Sequence, residues 1–119
     1  MEISETNLSD SEIRSPIEIQ LKNDVEEEII VIDADDMIEL IVKALSSKTR
    51  REILHHIQNE DNGMDVSNIA NKLKMTEANI SAQIKKLEEA NLVDCNYCSG
   101  QHGVRKISKL KYNQILVKF

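Results

Sequence analysis

Two cysteines and a histidine near the end of the chain are the side chains best suited to metal or redox chemistry. Cys95 and Cys98 have the spacing C-x-x-C, and His102 follows four residues later. Thiolates and imidazole are preferred ligands of Zn²⁺, but a structural zinc site usually needs four of them. The chain has no second C-x-x-C. We therefore interpret both cysteines as ordinary thiols, with a metal site or a redox-active pair as the alternatives.

The other residues capable of catalysis are not arranged for it. His55 and His56 are adjacent, and neighbouring side chains on a helix point about 100° apart, so they would not hold one ion together. The chain has neither a glycine-rich phosphate-binding loop nor a nucleophile elbow. We predict that the protein is not an enzyme and that it has no cofactor.

Charge divides the chain into an acidic front and a basic back. Residues 1–43 contain 13 acidic and 3 basic side chains, whereas residues 44–119 contain 8 acidic and 12 basic ones, within a net charge of −6. A basic half behind an acidic arm is typical of a nucleic-acid-binding module with an appended tail. The alternative is that charge merely keeps both halves in solution.

The acidic front is expected to hold little structure. Residues 1–16 are polar and rich in serine, which predicts a disordered acidic tail. The strict alternation of Ile17–Leu21 predicts a short strand within an acidic arm over residues 17–34. The start resembles no signal or transit peptide, and no run approaches the roughly 18 apolar residues of a membrane span. We therefore expect a cytoplasmic protein without a membrane partner.

The middle of the chain has the apolar period of amphipathic helices. Asp33 or Asp35 is the expected cap of the first helix, and Ser46-Ser47 marks a break before the second. The predicted helices cover about residues 35–45, 48–59, 66–73 and 77–90. The predicted core face of the first helix consists of Met37, Ile38, Ile41, Val42 and Leu45.

The third and fourth helices are separated only by Lys74-Met75. A turn this short does not suit an antiparallel pair of long helices, but it suits the steep crossing of a helix-turn-helix. The fourth helix also exposes polar side chains near its start, as a helix in the major groove of DNA does. A solvated helix face is the alternative interpretation. The candidate DNA-binding residues here are Thr76, Asn79, Ser81, Gln83, Lys85 and Lys86.

After Asn91 the apolar period changes to two, which predicts a β-hairpin. We expect strands over residues 92–97 and 104–110, joined by a loop over residues 99–103 that is longer than the tightest turns. Gln101, His102 and Arg105 are candidates for contact with DNA, unless the basic residues only keep an edge strand soluble. The last segment, residues 112–119, is short and apolar and fits a strand or a helix, or the start of a further element.

These elements predict a mainly α protein with a small β component. The expected architecture is a winged helix-turn-helix domain over residues 35–111, with a three- to four-helix core, a β-hairpin wing and a short N-terminal strand.

Two segments resemble the arsenic-repressor (ArsR) family of transcription regulators. Residues 44–54, ALSSKTRREIL, resemble the family's second-helix signature, and residues 69–93, IANKL-x-MT-x3-IS-x2-IKKLEEANLV, resemble its helix-turn-helix. The resemblance implies a sequence-specific regulator that binds double-stranded DNA, usually as a homodimer. It places a recognition helix over about residues 76–90 in the major groove and a wing over about 97–105 on the backbone or minor groove. Arg50 matches a signature arginine of the family.

The chain departs from the family pattern at two places. The third helix lacks the family's cysteine pair for thiophilic metals, and Glu77-Ala78 stands where the family often has Gln-Ser. Two alternative functions follow. One is a winged-helix protein-interaction module, in which the acidic arm contacts a protein partner or an effector. The other is a metal- or thiol-responsive sensor that uses Cys95, Cys98 and His102.

Overall fold

The computed structural model describes residues 13–100 and 103–119. This part of the chain forms four helices and six strands, and none of these helices is long and apolar enough to cross a membrane. The elements, in chain order, are β1 (Arg14–Asn23), β2 (Glu28–Ala34), α1 (Asp35–Leu45), α2 (Lys48–Gln58), β3 (Met64–Asp65), α3 (Val66–Leu73), α4 (Glu77–Glu89), β4 (Val93–Gly100), β5 (Gly103–Leu110) and β6 (Gln114–Lys118).

The strands form two antiparallel sheets of three strands each. The first has the order β2-β1-β6 and joins the two ends of the described chain, and the second has the order β3-β5-β4. The prediction of a mainly α protein with only a small β component is therefore wrong, and the protein is α/β. The single strand expected over Ile17–Leu21 has a partner on each side. Both partners are short apolar runs, whose periodicity alone does not distinguish strand from helix.

A core of aliphatic side chains lies between the helices and the first sheet. In β1, Ile19 and Leu21 are almost fully buried, as the alternation predicted. Helix α1 packs against β1 and β2, and α4 packs against the other three helices. The helical side chains of this core with the least exposed surface are Ile41, Ile53, Ile57, Ile69, Ile80, Ile84 and Leu87.

Helix α1 has the predicted bounds but neither the predicted cap nor the whole predicted face. Its N-cap is Ala34, which makes no side-chain bond. Asp33 accepts a hydrogen bond from Arg14 at 2.8 Å, and Asp35 lies in the first turn, where the helix dipole favours a carboxylate. Val42 is exposed and Ala44 is buried instead, because the buried row of this helix advances by three residues from Ile38.

The first strand begins before the predicted end of the disordered tail. Strand β1 begins at Arg14, so residues 14–16 of the predicted tail 1–16 lie in a strand. The Ile13 carbonyl oxygen accepts a hydrogen bond from the Asp35 amide at 2.9 Å, which attaches the start of β1 to α1. Residues 1–12 lie outside the described residues.

The hairpin of β4 and β5 has a tighter connection than the sequence predicted. The strand register continues to Gly100 and Gly103, which leaves two residues between the strands. Sequence reasoning also missed β3, whose two residues pair with β5. A glycine is required just before β3, because Gly63 has a φ of 82° and a Cβ there would lie 2.5 Å from the Ser108 carbonyl oxygen.

A buried arginine joins three helices. The guanidinium of Arg50 on α2 donates to the Ala44 carbonyl oxygen at 2.7 Å and to the Lys43 carbonyl oxygen at 2.9 Å. These carbonyls lie in the last turn of α1, beyond the regular hydrogen bonds of the helix, and the Lys43 carbonyl oxygen also accepts from the Ser46 amide and hydroxyl. The third bond reaches the Gln83 side-chain oxygen on α4 at 2.8 Å. Arg50 therefore fixes the end of α1 and the position of α4.

Replacing this side chain tests its structural role. Arg50→Ala is expected to lower the free energy of unfolding by roughly 2 to 4 kcal/mol, because buried acceptors lose a charged donor. The measurement is urea unfolding followed by circular dichroism. Arg51→Ala is the matched control, since Arg51 is exposed and donates only to the Leu45 carbonyl oxygen. Equal losses for the two variants would contradict the role assigned to Arg50.

Candidate nucleic-acid interface

The turn between α3 and α4 is held by local hydrogen bonds. Lys74 ends α3 in the left-handed conformation, with φ 56° and ψ 47°. The Met75 amide then donates to the Ala70 carbonyl oxygen at 3.0 Å, which closes the helix end. Thr76 caps α4 as predicted, since its hydroxyl accepts from the Asn79 amide at 3.1 Å. The start of α4 is thus placed by backbone geometry.

The outward-facing residues in the first two turns of α4 are small, whereas Lys85 and Glu89 continue the same outward side toward the end of the helix. Ile80, Ile84 and Leu87 are buried on one side of the helix. Helical spacing then places Ala78 and Ala82 on the opposite side, and both are exposed. Sequence reasoning did not choose these two alanines, because it looked for side chains that form hydrogen bonds. The spacing of Ile80, Ile84 and Leu87, four residues and then three, was the signal that would have located them.

The polar candidates on α4 do not form one cluster. Asn79 accepts from the Gln83 side-chain amide at 3.1 Å, and Gln83 in turn accepts from Arg50. Gln83 is half-buried and serves the helix packing, whereas Asn79 is exposed. Lys86 lies on the same flank of α4, while Ser81 lies on the opposite flank. Of the predicted residues, Thr76, Asn79, Ser81, Lys85 and Lys86 are exposed.

Exposed lysines surround the turn and the outer side of α4. Within residues 13–100 and 103–119, five exposed lysines form no ion pair; one of them, Lys109, lies on β5, and the other four lie on α3, its C-cap and α4. Two of the four, in α3 and its C-cap, were missed because only α4 and the hairpin were searched for basic residues. We call this group the lysine surface, and it consists of Lys72, Lys74, Lys85 and Lys86.

Two basic residues of the hairpin are paired with carboxylates instead. Arg105 lies 3.1 Å from Asp65, and the Asp65 side chain is only 7% exposed. The other carboxylate oxygen of Asp65 caps α3 by accepting from the Asn68 amide at 2.8 Å. Lys106 lies 3.6 Å from Glu88 of α4. These pairs attach the hairpin to both helices of the turn.

Half of the Arg105 side chain still faces solvent, at 49% exposure. Tyr97 and Val104 are also exposed on the hairpin. Gln101 and His102, the other two hairpin candidates, lie outside the described residues.

The two cysteines do not come together. Residues three apart on a strand point to opposite faces, which separates the thiols of Cys95 and Cys98. Cys95 is half-buried, with its sulfur 3.4 Å from the Ser108 hydroxyl oxygen, and Cys98 is exposed. Burial raises the pKa of the Cys95 thiol. Within the residues that the structure describes, no three His, Cys, Asp or Glu side chains are grouped to hold a metal.

This difference predicts unequal reactivity. Because the thiolate is the nucleophile and burial raises the pKa of Cys95, a smaller fraction of Cys95 is reactive near neutral pH. We expect iodoacetamide to modify Cys98 about tenfold faster or more, and the Cys95 rate to rise as the pH rises. Peptide mass spectrometry of Cys95→Ser and Cys98→Ser proteins measures each thiol alone. Equal rates, or a disulfide between the two in the wild type, would contradict this geometry.

Comparison with known proteins places this region in a family of domains. Residues 45–96 match a family model described as a helix-turn-helix domain. This part of the chain is therefore similar to known helix-turn-helix domains. Among fifteen matching chains of solved structures is the crystal structure of a protein described as an ArsR family transcriptional regulator. It is 23% identical, with a TM-score of 0.52, and the match covers 63% of this chain and 76% of that one. No curated protein sequence matches the chain.

The matched span of the helix-turn-helix domain contains the elements that position the candidate interface. It runs from the end of α1 to the middle of β4, and so it includes α2, α3 and α4. The likeness in fold also agrees with four helices and antiparallel strands arranged as a winged helix-turn-helix. All three strands of the first sheet lie outside the matched residues.

Proposed function

We propose that this protein is a transcription regulator that binds double-stranded DNA as a homodimer, with α4 in the major groove of each half-site. The role is one of binding, without catalysis. The observation that carries the proposal is the outer side of α4, where exposed alanines are flanked by the lysine surface. Small outward side chains allow a helix to lie deep in the groove, and the lysines beside them attract the phosphates along the groove.

The size of the α4 side chains supports this placement. The major groove is about 12 Å wide and an α-helix with its side chains is about 10 to 12 Å across, so the outermost side chains must be small. Ala78 and Ala82 meet that requirement, and alanine contacts the methyl group of thymine. Asn79 lies beside them near the helix start, where an asparagine side chain pairs with adenine.

Charge supports the same face. Phosphate contacts give most of the affinity for DNA, and they come chiefly from lysine and arginine. Lys85 and Lys86 lie on α4, and Lys72 and Lys74 lie beside the turn. The one carboxylate in the first turn of α4, Glu77, accepts a hydrogen bond from Ser67 of α3 at 3.0 Å. This bond orients the carboxylate toward α3.

The hairpin is proposed as the wing, on the backbone or in the minor groove next to α4. Arg105 is the described side chain best suited to a phosphate contact, because half of it is exposed while Asp65 holds its position. Gln101 and His102 remain proposed contacts. The Asp65 pair makes a poor target for mutation in a binding test, since its loss also removes a contact between hairpin and helix.

A single lysine change tests the proposal more cleanly. Lys85→Gln is expected to raise the dissociation constant for duplex DNA roughly three- to tenfold and to reduce the salt slope by about one, because one phosphate contact is lost. The measurement is a fluorescence anisotropy titration of random-sequence duplex at several salt concentrations. Lys22→Gln is the matched control, with the same charge change on β1.

The outcomes separate DNA binding from protein binding. Weaker binding by Lys85→Gln, with wild-type binding by Lys22→Gln, would support the proposal and justify selection of a preferred site from random sequence. Equal effects of both variants would show that DNA binding depends only on the net charge of the protein and not on the position of the lysine. No binding by the wild type at low salt would contradict DNA binding and favour a winged helix used for protein contacts.

A further inference from the structure

Strand β6 is a sheet edge with an unusual composition. It pairs with β1 on one side, and no strand among the described residues pairs with its other side. Every residue of Gln114–Lys118 is exposed, and the middle three are Ile115, Leu116 and Val117. Edge strands normally carry charges, prolines or bulges that prevent pairing with another chain. Strand β6 has three consecutive apolar residues and unpaired backbone groups along one edge, so it is suited to pair with a strand of another chain.

The apolar face of the first sheet also continues into β6. Ile115 lies opposite Leu21, and Val117 lies opposite Ile19. Both β1 residues are nearly fully buried, whereas their β6 neighbours are exposed by about two fifths, at 36% and 42%. The helices therefore cover the centre of this face and leave its β6 side in contact with solvent.

We propose that β6 pairs antiparallel with β6 of a second copy of this chain, so that two three-stranded sheets become one sheet of six strands. A two-fold axis at Leu116 places this residue opposite its own copy. Ile115 then faces Val117 of the second copy, and Gln114 faces Lys118. This β6 pairing would form the homodimer of the proposed function, on which the inference rests, and it can be tested without DNA.

Charge favours this edge and a second copy over the other edge. Lys118 lies 4.0 Å from Glu18 within the chain, and the two-fold pairing sets it opposite a neutral glutamine. Like charges therefore do not meet across the pair. The other edge, β2, follows Glu26 and Glu27 and begins at Glu28. The negative charge around this edge disfavours the approach of a second β2 edge.

Two matched variants test the interface. Leu116 and Val31 lie on opposite edges of the sheet, each directly opposite Gln20, with exposures of 45% and 52%. We expect a micromolar dimer of the wild type in sedimentation velocity without DNA. Leu116→Lys is expected to raise its dissociation constant about tenfold or more, since like charges meet at the axis. Val31→Lys adds the same charge and is expected to leave the dimer unchanged.

A mixing experiment tests the two-fold register itself. Leu116→Lys and Leu116→Glu are each expected to be monomeric alone and to form a heterodimer when mixed, because position 116 meets itself. Far-UV circular dichroism checks that all variants are folded. A monomeric wild type, a dimer that survives Leu116→Lys, or variants that do not recover on mixing would overturn the proposal.

DNA binding is measured separately on the same proteins. A Leu116→Lys monomer that still binds random duplex at low salt, with lower affinity than the dimer, would support the interface and the proposed function together. A dimer that follows every expectation above but binds no duplex would support the β6 interface and contradict the proposed function.

Discussion

The hydrogen bonds of the Arg50 guanidinium are the interaction on which the placement of α4 depends. A buried charge is costly unless it is hydrogen-bonded, and here each of the three guanidinium nitrogens has a partner, two carbonyl oxygens of α1 and the Gln83 side-chain oxygen of α4. The arginine thereby links the end of α1 to α4. Because Ile80 and Ile84 hold one side of α4 in the core, Ala78 and Ala82 on its other side face outward.

Pairing of charges explains how a chain with a net charge of −6 can present a positive face. Carboxylates in β3, α4 and β4 lie near basic residues of the hairpin and its following turn, so those cations hold the wing in place. The lysine surface has no such partners among the described residues, and its charges remain available to a polyanion. Among the paired cations, Arg105 is also a proposed phosphate contact.

The helical part of the fold could be predicted from the sequence, and most of the first sheet could not. Helices α2, α3 and α4 have strong apolar periods and side-chain caps at Ser47, Asp65 and Thr76, which are local signals. Strand β6 pairs with β1 across almost the whole chain, and no local pattern encodes that pairing. The site was predicted in part, because Lys85 is exposed but Gln83 had a hidden packing role.

An NMR titration of ¹⁵N-labelled protein with duplex DNA tests the central claim most directly, because it reports each backbone amide separately. The account predicts that the largest shifts occur at amides of residues 72–86 and of the hairpin near Arg105. Amides on the outer face of β2-β1-β6 should move little. Shifts confined to that sheet, with α4 unchanged, would contradict a DNA-binding role for the helix-turn-helix.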